Sequence, residues 1–504
     1  MTKKNIISHV FTLLCLVLIL SISSCRKNFS TIPSFGQLEF SRDTVFLDTV
    51  FTNIGSATYN LRVYNRGTKD ITIPAIALER GASSNYRLNV DGIPGKEFQN
   101  IDILAKDSIF VFVETTVDIS SVSSPLYTDR ILFDNGMNQQ RVELITLVQD
   151  ANFIYPGRDP FTLKIDSLTL DGEATTIKGR FLTNEELTFT NTKPTVIYGY
   201  AAVSSNNTLT ISSGAKVYFH DNSGLIIDKD ASLKVNGTLN EKVVFEGDRL
   251  ENSYSNLPGQ WGRIWLAGGS VDNHIKNATI KNGTIGILSD GNQDNPTKLT
   301  ITNSQIYNSS NFGILGRGSS INAENVVLNI SGISSFAGTY GGNYNFTHST
   351  IANYWSNSFR QFPALLLNNF IIDAENNVFT NPLESANFTN CIIYGNDNPE
   401  LLLEKEPSDV FNFKFTNSLI YFDDPSGYFS ESQYDFSNTD HFENVIFNND
   451  PGFLDPSINQ LNIPIGSPAE GAGISYGSLN VDINNTTRTS PPDLGAYNAT
   501  EFED

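Results

Sequence analysis

Sulfur, tryptophan and histidine are scarce in this chain. Its 504 residues hold three Cys, two Met, three Trp and five His. Cys15 and Cys25 fall near the start, leaving Cys391 as the lone thiol of everything that follows. A disulfide-stapled fold is therefore excluded, and Cys391, beside Ile393, reads as a buried small residue. No two histidines have metal-ligand spacing and no His-Glu-x-x-His occurs, so no metal site is expected. Positive charge is also short: 33 Lys and Arg face 54 Asp and Glu, a formal net charge of −21. With no basic cluster, nucleic acid is excluded as a partner.

An apolar run stands at the front. Lys3-Lys4, the run through Leu20 and the end Ile22-Ser23-Ser24-Cys25 read as a lipoprotein signal peptide, residues 1–24, with a lipidation signal at Cys25. The run is interrupted and short for a membrane span. Cys25 is thus expected to carry the lipid anchor that makes the membrane a partner. Arg26 and Lys27 follow it rather than Asp, which favours the outer membrane, on its periplasmic side or at the cell surface. Residues 25–35 then form a polar tether.

The main signal is a repeat. The phrase Thr302-Asn303-Ser304-Gln305-Ile306-Tyr307-Asn308 returns in altered form about every 24 residues between 277 and 448, a period of stacked repeats too small to fold singly. Its central aliphatic falls at Ile280, Ile306, Val327, Ile351, Ile371, Ile393, Ile420 and Ile446. The position two before is small or amide-bearing, as at Ala278, Ser304, Asn325, Ser349 and Cys391. Alternation with a period of two assigns short strands, and no helical period appears, which excludes leucine-rich or helical solenoids. Coils of this length closing on themselves read as a parallel β-helix, with stacked Asn side chains bonding along the turns. Leu209–Glu246 has a tighter beat of strands cut by Gly and is read as the first coils.

The run Leu209-Thr-Ile-Ser-Ser-Gly214-Ala-Lys-Val-Tyr-Phe resembles right-handed parallel β-helix lipoproteins of diderm bacteria. So do Pro258-Gly-Gln-Trp261-Gly-Arg-Ile and the tail Asp450-Pro-Gly-Phe453…Ser467-Pro-Ala469…Arg488…Pro491-Pro-Asp-Leu-Gly-Ala-Tyr497. The similarity covers residues 196–497 and implies the pectate-lyase-like superfamily fold, whose members include polysaccharide lyases. Residues 36–150 have a different texture, with longer alternating strands and no helix pattern, and read as a β-sandwich. Tyr64-Asn65-Arg66-Gly67…Ile71-Thr72-Ile73 resembles immunoglobulin-like domains of the abnormal-spindle/hydin type. The expected fold is all-β: an N-terminal immunoglobulin-like β-sandwich followed by a right-handed parallel β-helix. Residues 151–195 are expected to connect the two, 196–460 to form the helix, and 461–504 to cap its open end.

Candidate chemistry is sparse. In the repeat alignment Glu324 and His348 fall in one outward column as stacked neighbours, a carboxylate beside an imidazole and the candidate acid/base pair. Tyr354, Trp355 and Arg360, with Phe359 and Phe362, interrupt the repeat and offer flat rings and a guanidinium for a sugar face. Trp261 and Trp265 form a second aromatic group, of which Trp261 reads as packing. Gly473-Ile-Ser475-Tyr-Gly477 matches a hydrolase string without the strand–turn–helix context that string requires. Asp290-Gly-Asn292-Gln-Asp294 resembles the start of a Ca²⁺ loop but lacks the Gly and the closing Glu, so it reads as a turn, with Ca²⁺ as the alternative. No other cofactor is expected. The preferred function is a cell-envelope recognition or scaffold module for glycan. A polysaccharide lyase or glycoside hydrolase is the alternative, although no catalytic constellation is visible, and a structural adhesin component is the third reading.

Overall fold

The computed structural model describes residues 30–291, 298–475, 477 and 479–502. The lipidation signal at Cys25 lies outside them, as do Asn292–Asp294 and Tyr476. The chain is all-β and divides into two compact units, at Gln149 and Asp150.

In the first unit, a six-stranded sheet and a five-stranded sheet enclose one core. The first sheet runs Ile32–Pro33, Ile71–Leu78, Leu126–Phe133, Gln140–Gln149, Thr44–Phe51, with Glu97–Ile103 also on Ile71–Leu78. The second runs Glu39–Phe40, Tyr59–Tyr64, Ser108–Thr115, Tyr86–Val90, Ile93–Gly95. Alternation decides the faces: Leu61 and Val63, Val111 and Val113, Val142 and Leu144 point inward and are buried, while the residues between them reach solvent.

In the second unit strands pair in parallel with the equivalent strand of the next coil, for most of the early coils the third strand after, which builds three stacks around one continuous core. The first stack begins Asn152–Ile154, Thr195–Ile197, Lys216–Phe219, Val243–Gly247, Ala278–Lys281. The second begins Glu173–Phe181, Tyr200–Val203, Gly224–Ile227, Trp261–Leu266. The third begins Thr188–Phe189, Thr208–Ser212, Ser232–Asn236, Asn273–Lys276. Residues 151–195, expected as a connector, are therefore part of the stacks.

The repeated phrase supplies the first stack and its corner. Ile280, Ile306, Leu328, Ile351, Ile393 and Ile420 are successive register partners and fully buried. Corner residues Asn277, Asn303, Asn325, His348, Asn390, Asn417 and Asn444 all have φ between 45° and 56°, the left-handed region in which Asn is favoured among non-glycine residues. At three of these corners the backbone N–H that follows the corner residue, drawn out of the strand ladder, is taken up by a serine of the next coil. Ser304 Oγ accepts from the Ala278 N–H, Ser349 Oγ from Val326 and Ser418 Oγ from Cys391. The expected amide ladder is present in part, as Asn325 Nδ2 donates to Asn303 Oδ1 at 3.0 Å and Asn308 Nδ2 to Asn282 Oδ1 at 3.3 Å. Cys391 is buried, and burial pushes its thiol up to about 12, so it is inert.

Three register expectations need correction. Val327 and Ile446 point outward, because Leu328 and Phe447 are the partners of Ile306 and Ile420. Ile371 lies in an antiparallel hairpin of Phe370–Ile372 with Val378–Thr380, outside the stacks. The described residues of 461–504, expected to cap the open end, include none that packs on the core of the stacks. Leu461, Ile463, Ala469, Leu494 and Tyr497 instead pack along the outer face of the first stack, on Val327, Ala352, Ile392 and Leu419. At the last coil Phe429 and Phe436 pack on the core, with Phe436 4.9 Å from Phe422 and 4.5 Å from Phe447.

Candidate functional site

Parallel register turns a loose sequence into a ladder. Ile154, Ile197, Phe219 and Gly247 are register partners at the ends of first-stack strands. The residue after each is Tyr155, Tyr198, His220 and Asp248. The last three are fixed by Tyr198 N–H to Ile154 O, His220 N–H to Ile197 O and Asp248 N–H to Phe219 O, each 2.9 Å. Stacking at strand spacing then brings their side chains into contact. The Tyr155 and Tyr198 ring centroids are 4.9 Å apart, and Tyr198 and His220 are stacked at 4.3 Å. Asp248 Oδ2 accepts from His220 Nδ1 at 2.8 Å. That hydrogen bond raises the His220 pKa above its ordinary value, and burial opposes it. Burial raises the Tyr198 phenol above its ordinary value.

Tyr155, Tyr198 and His220 line a cleft of about 1020 Å³ on the second unit. Thr176, Ile177 and Lys178 also line it, on a hairpin of Ser167–Leu170 with Glu173–Phe181 that Leu168 and Leu170 hold against Ala202, Ile226 and Ala267. Tyr200 lies along its side, fitted onto two glycines. A Cβ built on Gly262 would stand 2.1 Å from the Tyr200 hydroxyl, and one on Gly224 2.6 Å from the ring. Arg158, Lys178 and Arg263 line the same cleft. Arg263 lies over the Trp265 ring at 5.4 Å, and its buried Nε has no hydrogen-bond partner among the described residues. The nearby carboxylate of Asp290 is already committed to Trp265 Nε1 at 2.8 Å and to Arg317 at 2.6 and 2.7 Å. Rings, a paired imidazole and uncommitted guanidinium donors therefore converge on one apolar-walled space.

The residues singled out from the sequence lie elsewhere. Glu324 is the register partner of Thr347, not of His348, so the expected acid/base pair does not form. His348 occupies the corner instead and is fully buried, with Asn390 Nδ2 donating to its Nε2 at 2.9 Å. Burial, with Arg488 nearby, lowers its pKa to about 3, so the imidazole is neutral and unavailable to solvent. Trp355 is buried, with its Nε1 donating to Ser358 Oγ, and Tyr354 packs edge-on against Phe453. Arg360 is buried in an ion pair with Glu400, at 2.5 and 2.8 Å. These side chains hold the fold. Among the described residues no group of three His, Cys, Asp or Glu side chains is placed to hold a metal ion.

Sequence reasoning missed Tyr155, Tyr198, Tyr200, His220 and Arg263. The signal was an aromatic or His one residue past a buried strand end. The unequal spacing of Tyr155, Tyr198 and His220 hid that equivalence until strand pairing supplied the register.

No family model matches the chain, and no curated protein matches it. Among solved structures, part of it is similar to a family 123 glycoside hydrolase from Clostridium perfringens. The identity is 9% and the TM-score 0.16, over 21% of this chain and 23% of that one, so the chain spans less than a quarter of its length. A second similarity is to the catalytic unit of a thermostable GH87 α-1,3-glucanase from Streptomyces thermodiastaticus, at 12% identity and a TM-score of 0.16, over 77% of this chain and 88% of that one. Likeness at this level assigns the chain to no family.

Proposed function

We propose that this protein is a cell-envelope lipoprotein, anchored through Cys25 at the outer membrane, that recognises glycan in the cleft lined by Tyr155, Tyr198 and His220. In this reading the second unit is a right-handed parallel β-helix and the first an immunoglobulin-like sandwich that carries it. The observation that supports glycan most directly is the ring ladder beside uncommitted guanidinium donors. Ring faces take the C–H face of a sugar, while Arg158 and Arg263 supply donors to its oxygens. The test is retention of the full chain on a panel of immobilised polysaccharides. Tyr198→Ala is expected to weaken retention about tenfold, from roughly 1–1.5 kcal/mol of lost ring contact. Retention that survives both Tyr198→Ala and Tyr155→Ala, or no retention on any polymer, would end this reading.

The His220–Asp248 pair favours one second reading, an enzyme acting on polysaccharide. Asp248 fixes the imidazole through Nδ1, which leaves Nε2 as the atom able to exchange a proton with a ligand. Release of reducing or unsaturated ends that disappears in His220→Ala would select the enzyme. Retention without turnover selects the binding module.

A further inference from the structure

We propose that one end of the first unit, carrying Ile32, Phe35, Leu104 and Met137, docks on the lipid surface in which Cys25 is anchored. This rests on the reading of Cys25 as acylated and adds a contact that reading does not supply. The four side chains are exposed by 38%, 59%, 40% and 105%. Single exposed apolar residues are ordinary on any protein. These four share one end of the unit. The Ile32 N–H donates to Asp70 O, and the Ala105 N–H to Asp70 Oδ1, which sets Ile32 beside Leu104. The Gly36 N–H donates to Asp134 Oδ2, and a Cβ on Gly36 would stand 2.9 Å from Asn138 O, which sets Phe35 beside Met137.

Covalent geometry supplies the occupant. Ser30 follows Cys25 by five residues. An extended chain spans at most about 3.3–3.6 Å per residue, so an acylated Cys25 holds Ser30 within roughly 18 Å of its own position in the bilayer surface. Ile32 and Phe35 follow directly, so the apolar end is the end nearest the lipid. Lys69 and Lys106 are exposed there, Lys106 donates to Arg66 O, and neither forms an ion pair among the described residues. Both can reach headgroup phosphates. Asp102 and Asp107 are exposed at the same end, so apolar insertion rather than net charge carries the contact. Such side chains enter about 5–10 Å into the headgroup–acyl boundary.

The test uses the mature lipidated chain in vesicles of phosphatidylethanolamine and phosphatidylglycerol containing a nitroxide-labelled lipid. A fluorophore is attached at Met137→Cys or, as control, at Ser124→Cys. Ser124 is exposed and precedes the strand Leu126–Phe133, whose far end leads to Met137. Cys391 is buried and does not compete for the label. Several-fold stronger quenching at 137 than at 124, reduced by Phe35→Ser with Leu104→Ser, is the expected result. Vesicle-bound protein with equal quenching at both positions overturns the docking while leaving the anchor intact. Protein whose mass shows no acyl group overturns the anchor and the docking together.

Discussion

At the scale of single residues, backbone conformation rather than side-chain chemistry explains the most conspicuous candidate. His348 sits where other coils place Asn, with φ at 46°. It is conspicuous in the sequence because it titrates, and silent in the fold because it is buried. An unfolded His protonates near 6.5, whereas His348 stays neutral down to about 3. Between those values the unfolded chain binds more protons, so stability falls as pH drops from 6.5 towards 3 and levels off below. His348→Asn keeps a residue suited to the corner and removes the titration. It is expected to retain roughly 3 kcal/mol more of its neutral-pH stability at pH 4 than the parent, at about 1.36 kcal/mol per unit. Urea midpoints at pH 7 and pH 4 decide it, and parallel losses in the two proteins would refute the account. Gly262 makes the complementary case. A methyl there collides with the Tyr200 hydroxyl, so Gly262→Ala is expected to cost about 1–3 kcal/mol by urea unfolding and to weaken glycan retention.

At the scale of elements, the loop between the strands Thr350–Asn353 and Leu365–Asn368 is organised by one ion pair. Arg360 donates to Glu400, to Phe362 O and to Asn353 O, and Glu400 also accepts the backbone N–H groups of Ala364 and Asp397. Both side chains are buried, so removing one charge strands the other. Glu400→Gln is expected to cost about 3–5 kcal/mol, while Arg360→Met with Glu400→Leu recovers much of that loss. Chemical denaturation of the single and double variants checks this, and a double variant as unstable as the single one would count against it. Arg360 stood out in the sequence because it falls among the aromatic residues that interrupt the repeat. Its partner is 40 residues away, and no local pattern could announce it. The stacks themselves were legible because their inward positions alternate. Register within them was not, since Val327 and Ile446 are as apolar as the true core positions.

At the scale of the second unit, that misreading has a physical cause. A stack whose outer face met water would alternate cleanly, but the outer face of its first stack is apolar at Val327, Ala352, Ile392 and Leu419 because the C-terminal segment covers it. The corner amides fasten that segment along its length. Asn325 donates to Val481 O, Asn390 to Ile474 O and Asn417 to Ala472 O, while Arg488 donates to Asn325 Oδ1. The segment is thus a side strap that spans many coils, whereas the aromatic loop around Phe429 and Phe436 covers the last one. In a one-dimensional stack each coil is stabilised by its neighbours, and a strap bonded to several coils couples them into one cooperative transition. Deleting residues 461–504 is expected to expose the apolar strip, raise binding of a hydrophobic dye and split or broaden unfolding of the second unit. The core of the first unit, drawn from residues between Leu38 and Val148, has no part in the strap and should keep its own transition. Dye binding and unfolding identical to the full chain would show that the strap contributes nothing to the stack it covers.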